Sequence, residues 1–407
     1  MKLRLHQTQI KKHSSVDITG SKSESNRLLL LQALYAEIII ENLSNSDDTR
    51  LMQSALKSSD EKIDIHHAGT AMRFLAAYFA IQDGRETILT GSKRMKERPI
   101  KILVDALITL GADISYMENE GYPPLKVKGK KLNISKVSLK ANVSSQYISA
   151  LLLIASRLEN GLELTLDGEI TSVPYIQMTL SLLEEVGIET SFNRNRISVK
   201  PKHGTIQPKS LVVESDWSSA SYFYSIVALS DLETEIELSS YKPNSLQGDS
   251  ALAEIYENFG VKTTFENHSI VLKKTDKNLQ SFSFDLANAP DIAQTIAVTC
   301  LGLGLECELT GLHTLKIKET DRLEALKTEI SKLGGQIKVT NDSLHLSAID
   351  TILPNIAIDT YNDHRMAMAF APLAIKTSLI INDAEVVSKS YPDFWKDLKS
   401  IRFSISE

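Results

Sequence analysis

Residues Ala289–Gly311 read APDIAQTIAVTCLGLGLECELTG. A small or polar start leads into an apolar helix, then a short turn, then an alternating strand. The same order of features occurs six times along the 407-residue chain. The strands are EIIIEN, ETILTG, LELTLDG, TEIELSS, CELTG and TSLIIND, aligned on Asn42, Gly91, Gly168, Ser240, Gly311 and Asp383. Successive copies lie 49, 77, 72, 71 and 72 residues apart, the regularity expected of internal repeats.

The preceding helices begin at SKSESNR, AGTAMR, VSSQYI, DWSSAS, APDIAQ and YNDHRM. Four copies carry a second helix that ends in glycine before another strand: LITLGADISY, SLLEEVGIETSF, IYENFGVKTTF and EISKLGGQIKV. Glycine there suits a left-handed C-cap. The unit is α/β, and one unit alone cannot bury its apolar helix, so three per domain is the natural division. The boundary falls near VVESDWSS, around residue 214, with no Pro- or Ser-rich linker. The first strand, KLRLHQ, is assignable to either half.

Composition narrows the function. The chain is 42% hydrophobic and 24% charged, with a net charge of -6 and only 6% aromatic residues. That is a globular protein, and the balance argues against a general binder of nucleic acid or membrane surfaces. Cys300 and Cys307, seven residues apart, match neither a disulfide framework nor zinc spacing and read as buried thiols in a reducing compartment. The first residues lack the apolar core of a signal peptide, and no apolar run reaches membrane-spanning length. A cytoplasmic location is expected. His66-His67 has no second pair at ligand spacing, so no metal is expected.

Charged residues collect in the loops after the aligned strands. Arg94, Lys96 and Arg98 follow Gly91; Lys316, Lys318, Glu319 and Arg322 follow Gly311; Lys389 follows Asp383. Equivalent loops of equivalent units are expected to line one region, a cleft. Helix starts add the complementary donors. In GSKSESNR, Gly20–Arg27, Ser21 and Glu24 fit a capping box that starts a helix beside Lys22, Ser23 and Arg27. Such an N-terminus favours an anion. It is not a nucleotide P-loop, because the required glycines and Gly-Lys-Ser/Thr are missing. Asp291 and Ser144 also read as helix caps.

In order along the chain, GSKSESNR, AGTAMRF, RMKERPIK, VSSQY, PDIAQT, KIKETDRL and TYNDHRMAM resemble the 5-enolpyruvylshikimate-3-phosphate synthase family of enolpyruvyl transferases. The resemblance implies two similar domains, each of three βαβαββ units, in an inside-out α/β barrel arrangement with the active site in the interdomain cleft. It places residues 20–213 in one domain and 1–19 plus 214–407 in the other. It implies transfer of the enolpyruvyl group of phosphoenolpyruvate to the 5-hydroxyl of shikimate 3-phosphate, with release of phosphate, no cofactor, no metal, and a monomer.

By motif match, Lys22, Ser23, Arg27, Ser144, Ser145, Gln146, Ser172, Tyr175, Asp291, Thr314 and Lys318 resemble the shikimate-phosphate contacts. Lys22, Gly69, Arg98, Gln146, Arg322, Arg365 and Lys389 resemble those for phosphoenolpyruvate. The resemblance casts Asp291 as the base for the hydroxyl, with Glu319 and Lys22 as the proton carriers at C3 in roles they can exchange. His67, Phe74, Thr314 and Val173 depart from the usual Asn, Pro, Asn and Lys. Gly69 is retained, so inhibition by glyphosate is expected. The related transfer to a UDP-linked N-acetylglucosamine needs a loop cysteine that RMKERPIK lacks. A non-catalytic anion-binding repeat protein is the other alternative, and an RNA-binding version of it would carry stacking aromatics.

Overall fold

The computed structural model describes residues 1–140, 144–168, 170, 173–276 and 281–407. They form two compact units, an N-terminal unit of Ser21–Val213 and a C-terminal unit of Met1–Gly20 with Glu214–Glu407. Each has its own hydrophobic core. Gly20 bridges to Ser215 and groups with the C-terminal unit.

The six apolar helices are α1 (Lys22–Leu34), α2 (Gly69–Ala80), α3 (Ser145–Ala155), α4 (Trp217–Leu229), α5 (Ala293–Leu303) and α6 (His364–Phe370). They have almost no polar stripe, so they bury nearly every side: all residues of α2 and α6 are buried, as are all but one of α4. Helices therefore fill the core of each unit and the sheets lie outside them.

Each helix leads into one aligned strand: β1 (Ile38–Glu41), β2 (Glu86–Thr90), β3 (Leu162–Asp167), β4 (Glu235–Ser239), β5 (Cys307–Thr310) and β6 (Leu379–Ile381). Every one of the six has a parallel neighbour, as strand-helix-strand crossovers require. From β2 to β6, each also has an antiparallel neighbour on its other side. The described strands form five four-stranded sheets and one two-stranded sheet, none of them closed into a barrel. Alternation sets the inward face, as in β3, where Leu162, Leu164 and Leu166 are buried.

Two parallel partners are exchanged along the sequence. His13–Val16 precedes α1 yet pairs with β4, whereas Lys209–Val212 precedes α4 yet pairs with β1. The N-terminal strand Leu3–Leu5 pairs with β6 in the C-terminal unit.

The repeat is also visible in the backbone. Asn42, Gly168, Ser240, Gly311 and Asp383 all take positive φ, from 48° to 100°. Gly91 is the exception and is glycine for a different reason, since a Cβ there would meet the His66 carbonyl oxygen at 2.6 Å. The glycines ending the second helices, Gly111, Gly187, Gly260 and Gly334, are left-handed as expected. One of those helices is broken: IYENFG ends a run of 3-10, α and 3-10 turns over Gly248–Phe259.

A Cβ at Gly311 would lie 2.3 Å from Asp285 Oδ1 and 2.4 Å from the Ala287 nitrogen, whereas one at Gly168 meets nothing within 4 Å. Gly168→Ala is expected to cost about 1 kcal/mol of left-handed strain, and Gly311→Ala at least twice that, in urea unfolding of the full chain.

Candidate active site

In the N-terminal unit the candidate residues gather at the starts of α1, α2 and α3. Helix α1 begins at Lys22 with Ser21 at the N-cap, but the Ser21 side chain makes no cap bond, so the expected capping box does not form. The backbone is not the cause. Ser144 has nearly the same torsions and accepts from Gln146 N, so the difference lies in the side-chain rotation. The first N–H groups of α1 are thus left uncapped by Ser21.

Lys22 Nζ lies 3.8 Å from Asp48 Oδ2, and His67 Nε2 lies 3.8 Å from Asp48 Oδ1. Asp48 is a buried acid that sequence reading missed. Its signal was the Ser46-capped helix Asp47–Lys57 following directly on β1. Two residues beyond His67, Gly69 carries the Arg98 guanidinium: a Cβ there would be 2.6 Å from Nη1. Gln146 Nε2 donates to Thr70 Oγ1 at 3.1 Å, tying α3 to α2. Ser145 is the first residue of α3. Of the loop cations, Arg94 pairs with Glu97 and Lys96 with Glu118 at the surface.

Arg27 is buried. Its Nε donates to Thr179 Oγ1 at 2.8 Å, Nη1 to the Ser23 carbonyl at 2.8 Å, and Nη2 to Ser149 Oγ at 2.9 Å and the Tyr175 carbonyl at 3.3 Å. The Phe74 and Tyr175 rings lie 5.5 and 5.9 Å from it. Burial pushes it down to about 10, so it stays charged at neutral pH while it fixes Ser23 and Tyr175. Ser172 lies outside the described residues; Val173 opens the helix Val173–Glu185.

In the C-terminal unit the centre is Arg322, 2% exposed. It donates from Nη1 to Asp291 at 2.8 Å, from Nη2 to Glu319 at 2.9 Å and from Nε to Asp363 at 2.6 Å. Burial opposes its charge, but the carboxylates of Asp363, Glu319 and Asp291 more than reverse that and raise its pKa. Asp291, expected as a cap, sits instead in the 3-10 turn Pro290–Ile292, and no side chain caps α5. Its Oδ1 also meets Lys318 Nζ at 3.3 Å, and its Oδ2 meets Arg365 Nη2 at 3.3 Å.

Asp363 lies in the TYNDHRMAM motif, which by itself gives no sign of its role. It is fully buried and has two tasks: Oδ1 accepts from Arg365 N at the start of α6, while Oδ2 takes Arg322. Tyr361 and Asn362 just before it are both left-handed, and Lys389 Nζ donates to the Asn362 carbonyl at 2.5 Å. Arg365 Nε and Thr314 Oγ1 are buried without a hydrogen-bond partner among the described residues. Each half thus brings arginines to helix starts, and the C-terminal half sets three carboxylates on one of them.

Solved structures share this architecture. An EPSP synthase from Acinetobacter baumannii aligns with a TM-score of 0.82 and 20% identity over all of both chains. The enolpyruvyl transferase NikO from Streptomyces tendae aligns with a TM-score of 0.77 and 13% identity, over 100% of this chain and 98% of that one. The fold is therefore that of the enolpyruvyl transferases.

Sequence narrows the class further. Residues 57–398 match the family described as EPSP synthase (3-phosphoshikimate 1-carboxyvinyltransferase). A 3-phosphoshikimate 1-carboxyvinyltransferase of Bacteroides fragilis is 48% identical over 403 residues, 98% of this chain and 97% of that protein. One from Haemophilus influenzae is 36% identical over 95% of this chain and 96% of its own. The chain belongs to the EPSP synthase family.

Arg322→Leu leaves three carboxylates without their shared cation and is expected to cost about 3 to 5 kcal/mol. Glu319→Gln, at a half-buried position, should cost about 1 kcal/mol. Denaturant midpoints of the two variants against the parent check the ordering.

Proposed function

We propose that this chain transfers the enolpyruvyl group of phosphoenolpyruvate to the 5-hydroxyl of shikimate 3-phosphate, as 3-phosphoshikimate 1-carboxyvinyltransferase of the shikimate pathway. The observation that carries the proposal is Asp291 gripped by Arg322, Lys318 and Arg365 in a chain of this family. The two substrates bring two phosphates and two carboxylates, and a carboxylate base must act among them. The residue sets of both units serve the one reaction. The chain acts as a monomer in the cytoplasm; the buried free thiols of Cys300 and Cys307 fit a reducing compartment.

In the proposed mechanism, the 5-oxygen of shikimate 3-phosphate bonds to C2 of phosphoenolpyruvate while Asp291 takes the hydroxyl proton. C3 gains a proton from Glu319 or Lys22, giving a tetrahedral adduct. Its C2–O bond to phosphate then breaks as C3 returns a proton to the same group, releasing inorganic phosphate and the enol ether. Arg98, Arg322, Arg365 and Lys389 hold carboxylate and phosphate in orientation. Ser23, Arg27, Ser144, Ser145, Gln146, Ser172, Tyr175, Thr314 and Lys318 hold the shikimate phosphate. A UDP-linked sugar acceptor is not favoured, since the curated relatives share one name.

Phosphate release by purified protein should require both substrates, and UDP-N-acetylglucosamine should not replace shikimate 3-phosphate. Lys22→Met and Asp291→Ala are each expected to lower kcat by about 10²-fold or more. Absence of release from folded protein would refute the assignment.

Gly69→Ala puts a methyl against the Arg98 guanidinium. It is expected to raise KM for phosphoenolpyruvate and to weaken inhibition by glyphosate, each by about tenfold or more, one displaced charge-assisted contact. Steady-state kinetics with and without the inhibitor read both effects.

A further inference from the structure

Arg365 is held from two sides. Its Nη2 lies 3.3 Å from Asp291 Oδ2 and donates at 3.2 Å to Ser218 Oγ. Ser218 in turn donates its hydroxyl to Asp249 Oδ2. Asp249 belongs to the 3-10 turn Gly248–Ala251 and is buried, and its Oδ1 has no hydrogen-bond partner among the described residues. A buried carboxyl with one oxygen unsatisfied lowers stability, so packing alone gives no reason for it.

The geometry points to Asp249 as a positioning residue that, through the Ser218 hydroxyl, holds the Arg365 guanidinium against the pull of Asp291 and so sets the grip on phosphoenolpyruvate. This rests on the assignment of Arg365 to phosphoenolpyruvate. Without the second anchor, the Arg365 guanidinium keeps the ion pair with Asp291 and loses its hydrogen bond to Ser218. Asp291 would then compete with phosphoenolpyruvate for the arginine, which weakens the grip on that substrate.

The groups facing Asp249 are Asp291 from the turn before α5, Arg365 from α6, and Ser218 and Asp216 from the start of α4. Burial first, then the like charge of Asp291, push Asp249 up to about 6, against the opposing effects of Arg365 and Ser218. Above that pH the carboxylate accepts the Ser218 hydroxyl and leaves the Ser218 lone pairs to Arg365. Below it Asp249 is neutral and its hold on Arg365 weakens.

The test is Asp249→Asn in the full chain, assayed from pH 5 to 8. At pH 7.5, KM for phosphoenolpyruvate should rise about tenfold, one lost charge-assisted contact, with kcat and KM for shikimate 3-phosphate changed by less than about twofold. The ratio of variant to parent KM should fall toward one at pH 5; substrate ionisation is common to both and cancels. Stability supplies an independent sign. The folded parent binds the Asp249 proton more tightly than the unfolded chain, so it loses stability as pH rises from 3.8 to about 6 and bears the full cost above that. The variant should therefore melt higher than the parent at pH 7.5, with the gain shrinking toward pH 4. A merely structural aspartate would instead give a lower melting temperature and a pH-independent KM ratio.

Ser218→Ala should reproduce the rise in KM, and the double variant should add little to either single one. A KM for phosphoenolpyruvate unchanged in both Asp249→Asn and Ser218→Ala, while Arg365→Lys raises it, overturns the positioning role alone. An unchanged KM in Arg365→Lys overturns the assignment of Arg365 as well.

Discussion

A helix that is apolar on every side keeps polar chemistry only at its ends. That constraint governs both units. The inner helices surrender their side faces to the core, and their first N–H groups still need partners. In the N-terminal unit the starts of α2 and α3 meet through Thr70 and Gln146. In the C-terminal unit, the starts of α4 and α6 and the turn before α5 meet through Ser218, Arg365 and Asp291. A sequence repeat thus becomes a repeated supply of donors, and each unit concentrates them where its helices begin.

The two halves balance charge in opposite ways. The hydrogen bonds of Arg27 go to hydroxyls and carbonyls, with ring faces beside it, and burial pushes it down to about 10. Arg322 is as deeply buried, but three carboxylates accept from it and its pKa is raised. Arg27 is thus fixed by neutral partners, while Arg322 is tied to groups that can take protons. Asp363 links that chemistry to the fold, since one carboxylate both caps α6 and fixes Arg322. A cap on one helix thereby orients the arginine of another.

Much of this was legible in the residues. The period near 72, the glycine ends of the second helices and the small or polar helix starts all depend on local geometry, and the structure keeps them. The capping box at Ser21 and the capping role of Asp291 were not recoverable, because side-chain rotation and the pull of distant charges decide them. Asp48 and Asp249 were missed for a related reason. Each lies in an ordinary turn or helix start, and only burial beside a lysine or an arginine chain makes it distinctive. The exchange of His13–Val16 and Lys209–Val212 between sheets was equally hidden, since a parallel partner leaves no mark on the strand that recruits it.

The cations around Asp291 bear on when it can act. Its two oxygens offer about four lone-pair positions. Arg322, Lys318 and Arg365 stand against them at 2.8, 3.3 and 3.3 Å. A hydroxyl arriving alone would have to compete with three charged donors. Phosphoenolpyruvate and shikimate 3-phosphate bring their own anionic oxygens, which draw the same cations to themselves and return lone pairs to the carboxylate. Under the proposed roles, the arginines that bind substrate and the base that acts on it are one electrostatic system. In that proposal the base becomes available when the charges it was balancing have found the substrate, which would tie proton removal to the presence of both reactants.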